Sequence, residues 1–116
     1  MLVRIDPGSP VPLFEQVAAS IRRALAGGSP ARGEQLPPAR ELAASLEINV
    51  HTVLRAYALL RDEGLIDLRR RRGAVVLGDA PSRARLTELV AELVDEAKRA
   101  GVGPDELTGV IKEKYS

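Results

Sequence analysis

Residues Leu36 to Val76 read LPPARELAASLEINVHTVLRAYALLRDEGLIDLRRRRGAVV. Two prolines lead into a short amphipathic segment with Leu42, Ala43 and Leu46 on one face. Glu47-Ile48-Asn49 is the turn that follows, and Asn49 suits an N-cap because its side-chain oxygen can accept from the first free backbone N–H groups. From about Val50 to Glu63, the residues Val53, Ala56, Tyr57 and Leu60 recur at i, i+3, i+4 and i+7, the stripe of a core-facing helix. Gly64 suits the left-handed position that closes a helix. Leu65 to Leu68 and Ala74 to Leu77 then predict two short strands, with Arg69 to Gly73 as the tip between them. Helix, turn, helix and basic hairpin is the order of a winged helix-turn-helix, which presents one helix to the major groove of DNA. The expected fold class is therefore α+β, mostly α.

Upstream, Leu2 to Ile5 is a short apolar stretch with the look of an edge strand, and Asp6 to Pro12 is a Pro-rich connection. Pro12 stands where a helix starts. Leu13, Phe14, Val17, Ile21 and Leu25 give that helix its apolar stripe, with Arg22 and Arg23 expected on the exposed side and Gly27-Gly28 at its end. Ser29 to Gln35 reads as a polar loop. Downstream, Asp79-Ala80-Pro81 is a natural boundary, which divides the chain into a DNA-binding domain over residues 1–78 and a helical tail over 79–116. In the tail, Leu86, Leu89, Val90, Leu93, Val94 and Ala97 repeat at spacings of three and four, a helix of roughly 18 residues that is stable only if its stripe is covered. Gly101 to Pro104 breaks it, and Leu107, Val110 and Ile111 mark a last short helix ending near Tyr115. Two helices of this size cannot enclose an apolar seam alone. They must fold back or pair with a second copy, and the preference of helix-turn-helix proteins for paired half-sites favours a homodimer.

Composition narrows the chemistry. The 116 residues contain no cysteine and one histidine, which excludes disulfides, thiolate sites and a multi-histidine metal centre. No metal, no cofactor and no enzymatic activity is expected, since there is no acid cluster with catalytic spacing and no nucleophile motif. No apolar run approaches a membrane span, and MLVRIDPGSP lacks the features of a signal peptide, so a cytoplasmic protein without membrane association is expected. With Phe14, Tyr57 and Tyr115 as its aromatics, the core must be built from Leu, Val, Ile and Ala. The overall charge of +1 hides an asymmetry: residues 1–78 carry 11 arginines against eight acids, whereas residues 79–116 carry six bases against eight acids. The first part is the polyanion binder. All its bases are Arg, whose planar fork suits phosphate and guanine edges, although a GC-rich genome produces the same bias.

With the Val53 stripe packed inward, His51, Arg55, Ala58 and Asp62 face outward. His51 and Arg55, one turn apart in the N-terminal half, are the groove-facing candidates. Arg55 can fork onto O6 and N7 of a guanine, and His51 can donate to a base acceptor or a phosphate. Asn49 and Thr52, near the helix start, suit phosphate contacts. Arg69, Arg70, Arg71 and Arg72 repel one another unless a polyanion lies nearby, and at a hairpin tip they would lie along phosphates or enter the minor groove. Arg40, on the preceding helix, is a candidate backbone clamp. The alternative is a winged-helix protein-interaction module without DNA binding, which would cover His51, Arg55 and the wing arginines rather than expose them together.

The segments PLFEQVAASIRRALAGG (12–28), G-x-x-LPPARELAASL (33–46), N-x-HTVLRAYALLRDEGLI (49–66) and RRGAVV (71–76) resemble the GntR family of bacterial transcription regulators. The RAY triplet, Arg55 to Tyr57, and the helical tail of roughly 40 residues look most like its YtrA subfamily, whose members carry a short two-helix dimerisation segment. The resemblance implies a homodimer bound to double-stranded operator DNA, usually as a repressor, often of operons encoding membrane transporters. Carried over by position, the DNA-contacting sites fall on Arg40, Asn49, His51, Thr52 and the wing around Arg72 and Gly73, and Arg55 matches an arginine common in the subfamily. The chain departs from relatives at Val50, where many have Arg or Pro, and at Arg71, where Gly is frequent. A tail this short offers no enclosed pocket within one chain, although a dimer interface can create one, so a small-molecule effector is possible but unsupported by the sequence.

Overall fold

The computed structural model describes all 116 residues. They form two compact units, Met1–Arg85 and Leu86–Ser116. The first holds α1 (Leu13–Ala26), α2 (Ala39–Leu46), α3 (Val50–Asp62), β1 (Ile66–Arg69) and β2 (Gly73–Val76). The helix α4 (Ala80–Arg99) starts in the first unit and continues into the second, where α5 (Pro104–Tyr115) follows.

Each helix of the first unit has a local reason to start and stop. Pro12 and Pro38 occupy the N-caps of α1 and α2, where their missing N–H groups cost nothing. Asn49 caps α3, its side chain accepting from the His51 backbone N–H at 2.8 Å. At the end of α3, Gly64 is left-handed (φ +80°), and the Leu65 N–H returns to the Leu60 carbonyl at 3.0 Å. The end of α2 has the same shape, with the Ile48 N–H on the Ala43 carbonyl, but here the left-handed residue is Glu47 (φ 56°). A side chain in that region crowds its own carbonyl, so this turn carries a cost that glycine would not.

Val17, Ile21 and Leu25 of α1 and Val53, Ala56, Tyr57 and Leu60 of α3 meet in the centre, closed by Leu42, Ala43, Leu65, Ile66 and Val76. Ala80 and Ala84, in the first turns of α4, are fully buried in this same core. The compact units consequently divide after Arg85, seven residues later than the Asp79-Ala80-Pro81 boundary expected from sequence. Alanine is a weak signal of burial, which is why the extension is not visible in the pattern.

The wing is an antiparallel pair with Ile66 opposite Val76, Leu68 opposite Ala74 and Arg69 opposite Gly73. The turn proper is Arg70–Arg71–Arg72, closed by left-handed Gly73 (φ +71°), so Arg69 and Gly73 belong to the strands rather than to the tip. The segment read as a polar loop contributes to this sheet. The Leu36 N–H bonds the Ala74 carbonyl, the Val76 N–H bonds the Glu34 carbonyl, and Gln35 bridges Val75.

Two expectations are corrected. Leu2 to Ile5 is not a strand: the Arg4 N–H donates to the Ser20 hydroxyl at 3.1 Å and the Asp6 N–H to the Gln16 side-chain oxygen at 2.6 Å. Side chains of α1 thus satisfy backbone that would otherwise seek a sheet edge. Arg22 is not exposed either. It makes a two-pronged ion pair with Glu63 at 2.9 and 2.7 Å, with 15% and 19% of the two side chains accessible.

In the second unit, Gly101 (φ +74°) closes α4, the Val102 N–H bonding the Ala97 carbonyl at 2.8 Å. Pro104 opens α5, with Asp105 and Glu106 in its first turn and Lys112 and Lys114 in its last, as the helix dipole favours. No residue of α5 is buried. No helix of the chain is long and apolar enough to cross a membrane.

Candidate nucleic-acid interface

The inward stripe of α3 fixes what faces out. His51, Arg55 and Asp62 are exposed, Ala58 is half-covered, and Thr52 sits half-buried at the helix start beside exposed Asn49. Arg40 is exposed in the first turn of α2. Arg70, Arg71 and Arg72 are exposed at the wing turn. Arg69 is also exposed, but its guanidinium is engaged by Asp67 at 3.0 Å on the same strand. Every basic residue singled out as a DNA contact is therefore at the surface.

Two residues that sequence reasoning did not single out for this face stand within it. Leu54 is 46% exposed, one position from Arg55. It helps line a hollow of about 440 Å³ between α3 and the wing, together with Pro37, Tyr57, Leu68, Arg71 and Arg72. Its place off the Val53 stripe was the available signal, because a leucine there cannot reach the core. Phe14 is the other. Periodicity placed it on the buried stripe of α1, yet it is only half-covered, and the Arg55 guanidinium lies 3.7 Å from its ring centroid. These two and Leu13, Asn49, His51 and Thr52 line a second hollow of about 420 Å³ on the other flank of α3.

Tyr57 locks the wing-side flank. Its hydroxyl donates to the Pro37 carbonyl at 2.6 Å, tying α3 to the approach to α2, and burial pushes its ionisation well above the ordinary tyrosine range. Two acids beside the face are engaged by arginines: Asp62 pairs with Arg61, and Asp67 with Arg69. The arrangement offers planar donor groups and positive charge around one helix, which suits base edges flanked by phosphates. No group of three or more His, Asp or Glu side chains is placed to hold a metal.

The nine residues read as a pairing stripe separate into two groups. Leu86, Leu89, Val90, Leu93, Val94, Val110 and Ile111 are exposed. Ala97 is buried within the corner between α4 and α5, and Leu107 is half-buried there with Val102 and Pro104.

Comparison with known proteins agrees with this architecture. The model for bacterial regulatory proteins of the gntR family matches residues 13–76. The chain is 32% identical to the HTH-type transcriptional repressor YtrA of Bacillus subtilis, over 97% of this chain and 91% of that protein. Among solved structures it resembles YtrA of Sulfolobus acidocaldarius, a GntR-family transcription factor, with 30% identity, a TM-score of 0.62 and coverage of 97% and 96%. BusR of S. agalactiae, solved in complex with its busAB-promotor DNA, shares the fold at 17% identity and a TM-score of 0.58, over 90% of this chain and 56% of that one. The first unit, with its exposed α3 and arginine wing, is thus a DNA-binding domain rather than an enzyme's scaffold, and the chain belongs to the GntR family of transcription regulators, alongside those of the YtrA type.

Proposed function

We propose that the chain is a cytoplasmic regulator that binds an inverted-repeat operator as a homodimer and represses transcription from it. The observation that carries this reading is the joint exposure of His51, Arg55 and the wing arginines around α3. In this reading α3 enters the major groove, with His51 and Arg55 toward base edges. Arg40, Asn49, Thr52 and Arg69 to Gly73 hold the phosphates on either side, Arg69 by exchanging Asp67 for a phosphate oxygen. The apolar faces of α4 and α5 pair two copies, which puts two recognition helices on half-sites one turn of DNA apart. Similarity to a repressor of the YtrA type supports repression, and the subfamily resemblance adds an operon encoding a membrane transporter as the class of target.

The test is sedimentation of the purified protein with the duplex from its own promoter and with a scrambled duplex, at low and moderate salt. A dimer that prefers its promoter, with affinity falling steeply as salt rises, is expected. Replacing Arg70, Arg71 and Arg72 by Ala should weaken both duplexes and flatten the salt dependence, by about 0.9 in log–log slope for each phosphate that is no longer neutralised. A monomer, or a dimer blind to both duplexes, would end this reading.

A further inference from the structure

We infer that Phe14, in the first turn of α1 and outside the helix-turn-helix, is a positioning residue for sequence readout: its ring holds the Arg55 guanidinium as a pre-set flat fork for guanine. The inference rests on the operator-binding reading above. It starts from the manner in which Arg55 is held. Arg22, Arg61, Arg69, Arg83 and Arg99 are each engaged by a carboxylate, which occupies the in-plane N–H groups. Arg55 is held by a ring face instead, 3.7 Å from the centroid.

The difference matters chemically. A guanidinium has five donors, all in its own plane, and stacking on an aromatic covers one face while leaving every donor open. A fork aimed at O6 and N7 needs those donors free and the plane fixed. A free arginine side chain has much rotamer entropy to lose on docking. Phe14 removes part of that loss before DNA arrives, and it does so from α1, whose packing against α3 is fixed by Val17 and Ile21 in the common core. An acid at the same place would have held Arg55 equally still and consumed its edges.

Four variants and two readouts test this. Phe14→Leu removes the ring, Phe14→Tyr keeps it, Arg55→Ala removes the fork, and Phe14→Leu with Arg55→Ala removes both. Circular dichroism first establishes that each is folded. Phe14→Leu should lower the ratio of promoter to scrambled-duplex affinity about two- to fivefold, the range that a cation–π interaction at an exposed site supplies. Affinity for the scrambled duplex should stay unchanged. Phe14→Tyr should keep the ratio, and the double variant should fall no further than Arg55→Ala alone. In the free protein, NMR should find the Arg55 side-chain protons shifted upfield by the ring current, and shifted back in Phe14→Leu. Equal weakening of both duplexes in folded Phe14→Leu, or full multiplication of the two losses, would overturn the positioning role. Unshifted Arg55 protons would dispose of the stack itself, whatever the DNA result. If the wild type shows the ring-current shift but ignores its promoter, the operator reading has failed, and the readout role with it.

Discussion

The two units use the same kinds of apolar residue to opposite ends. Before Arg85 the large aliphatic side chains are mostly inside: Val17, Ile21, Leu25, Val53, Leu60 and Leu65 have no accessible surface. Beyond it they are mostly outside, with Leu86 60%, Val90 49% and Val110 47% exposed, and Ala97 alone is buried. Three helices and a hairpin can surround a centre, whereas two helices can cover only the corner between them. Periodicity is equally good in both units, so a helical stripe states that something will cover it and not what. In the first unit the cover is supplied within the chain. In the second the stripe stands exposed, and a second copy is the cover proposed above.

The largest effect should come from breaking that cover. Leu89→Asp together with Leu93→Asp removes four leucines from a paired interface, each worth about 1.5–3 kcal/mol when buried. The dimer should fall apart at concentrations where the wild type is fully paired, as read by sedimentation, while the first unit keeps its helical signal. Undisturbed pairing would erase the contrast between the units. The next effect lies inside the first unit. Glu63→Gln strips the charge from the partly buried pair with Arg22 and should destabilise the fold by about 2 kcal/mol in denaturant titration, without altering the salt dependence of DNA binding. A loss below half that size would mean that the pair is solvated.

Tyr57→Phe should cost about 1 kcal/mol by removing the hydroxyl's bond to Pro37. Its pH signature is more telling. Burial raises the folded-state ionisation of Tyr57, so the neutral phenol's contribution is complete below the ordinary tyrosine pKa of 10.0. It is lost as pH climbs from there toward the raised value. Wild-type thermal stability should therefore fall in alkali above about pH 10, and the part of that fall due to Tyr57 should vanish in the variant. Equal alkaline losses in the two proteins would place the titration elsewhere. The smallest effect expected is a gain. Glu47→Gly relieves the left-handed turn between α2 and α3 and should stabilise the first unit by about 0.5–1 kcal/mol. A loss on that substitution would show that the glutamate side chain supports the turn.

Much of the first unit was legible because its signals are local. The Asn49 cap, the Val53 stripe, Gly64 and the turn at Glu47 to Asn49 each act within a few residues of themselves. What escaped depends on partners far along the chain. Arg22 meets Glu63 across 41 positions, and Gln35 finds Val75 across 40. Leu2 to Ile5 looked like a strand because its composition is that of one, and only the hydroxyl of Ser20 and the amide of Gln16 decide otherwise. The basic face was readable as a set of arginines, but not how each is held. Nothing in the spacing separates Arg69, engaged by Asp67, from Arg55, laid on Phe14.

The left-handed Glu47 also bears on how this domain stands in evolutionary time. Glutamate and glycine codons differ by a single transition at the second base, so the residue that the backbone geometry favours is one mutational step away. A lineage weakened by some other substitution, in the wing or at an operator-facing position, could recover through that step without touching the core or the DNA face. The turn is a reserve of compensatory change, placed outside the apolar core.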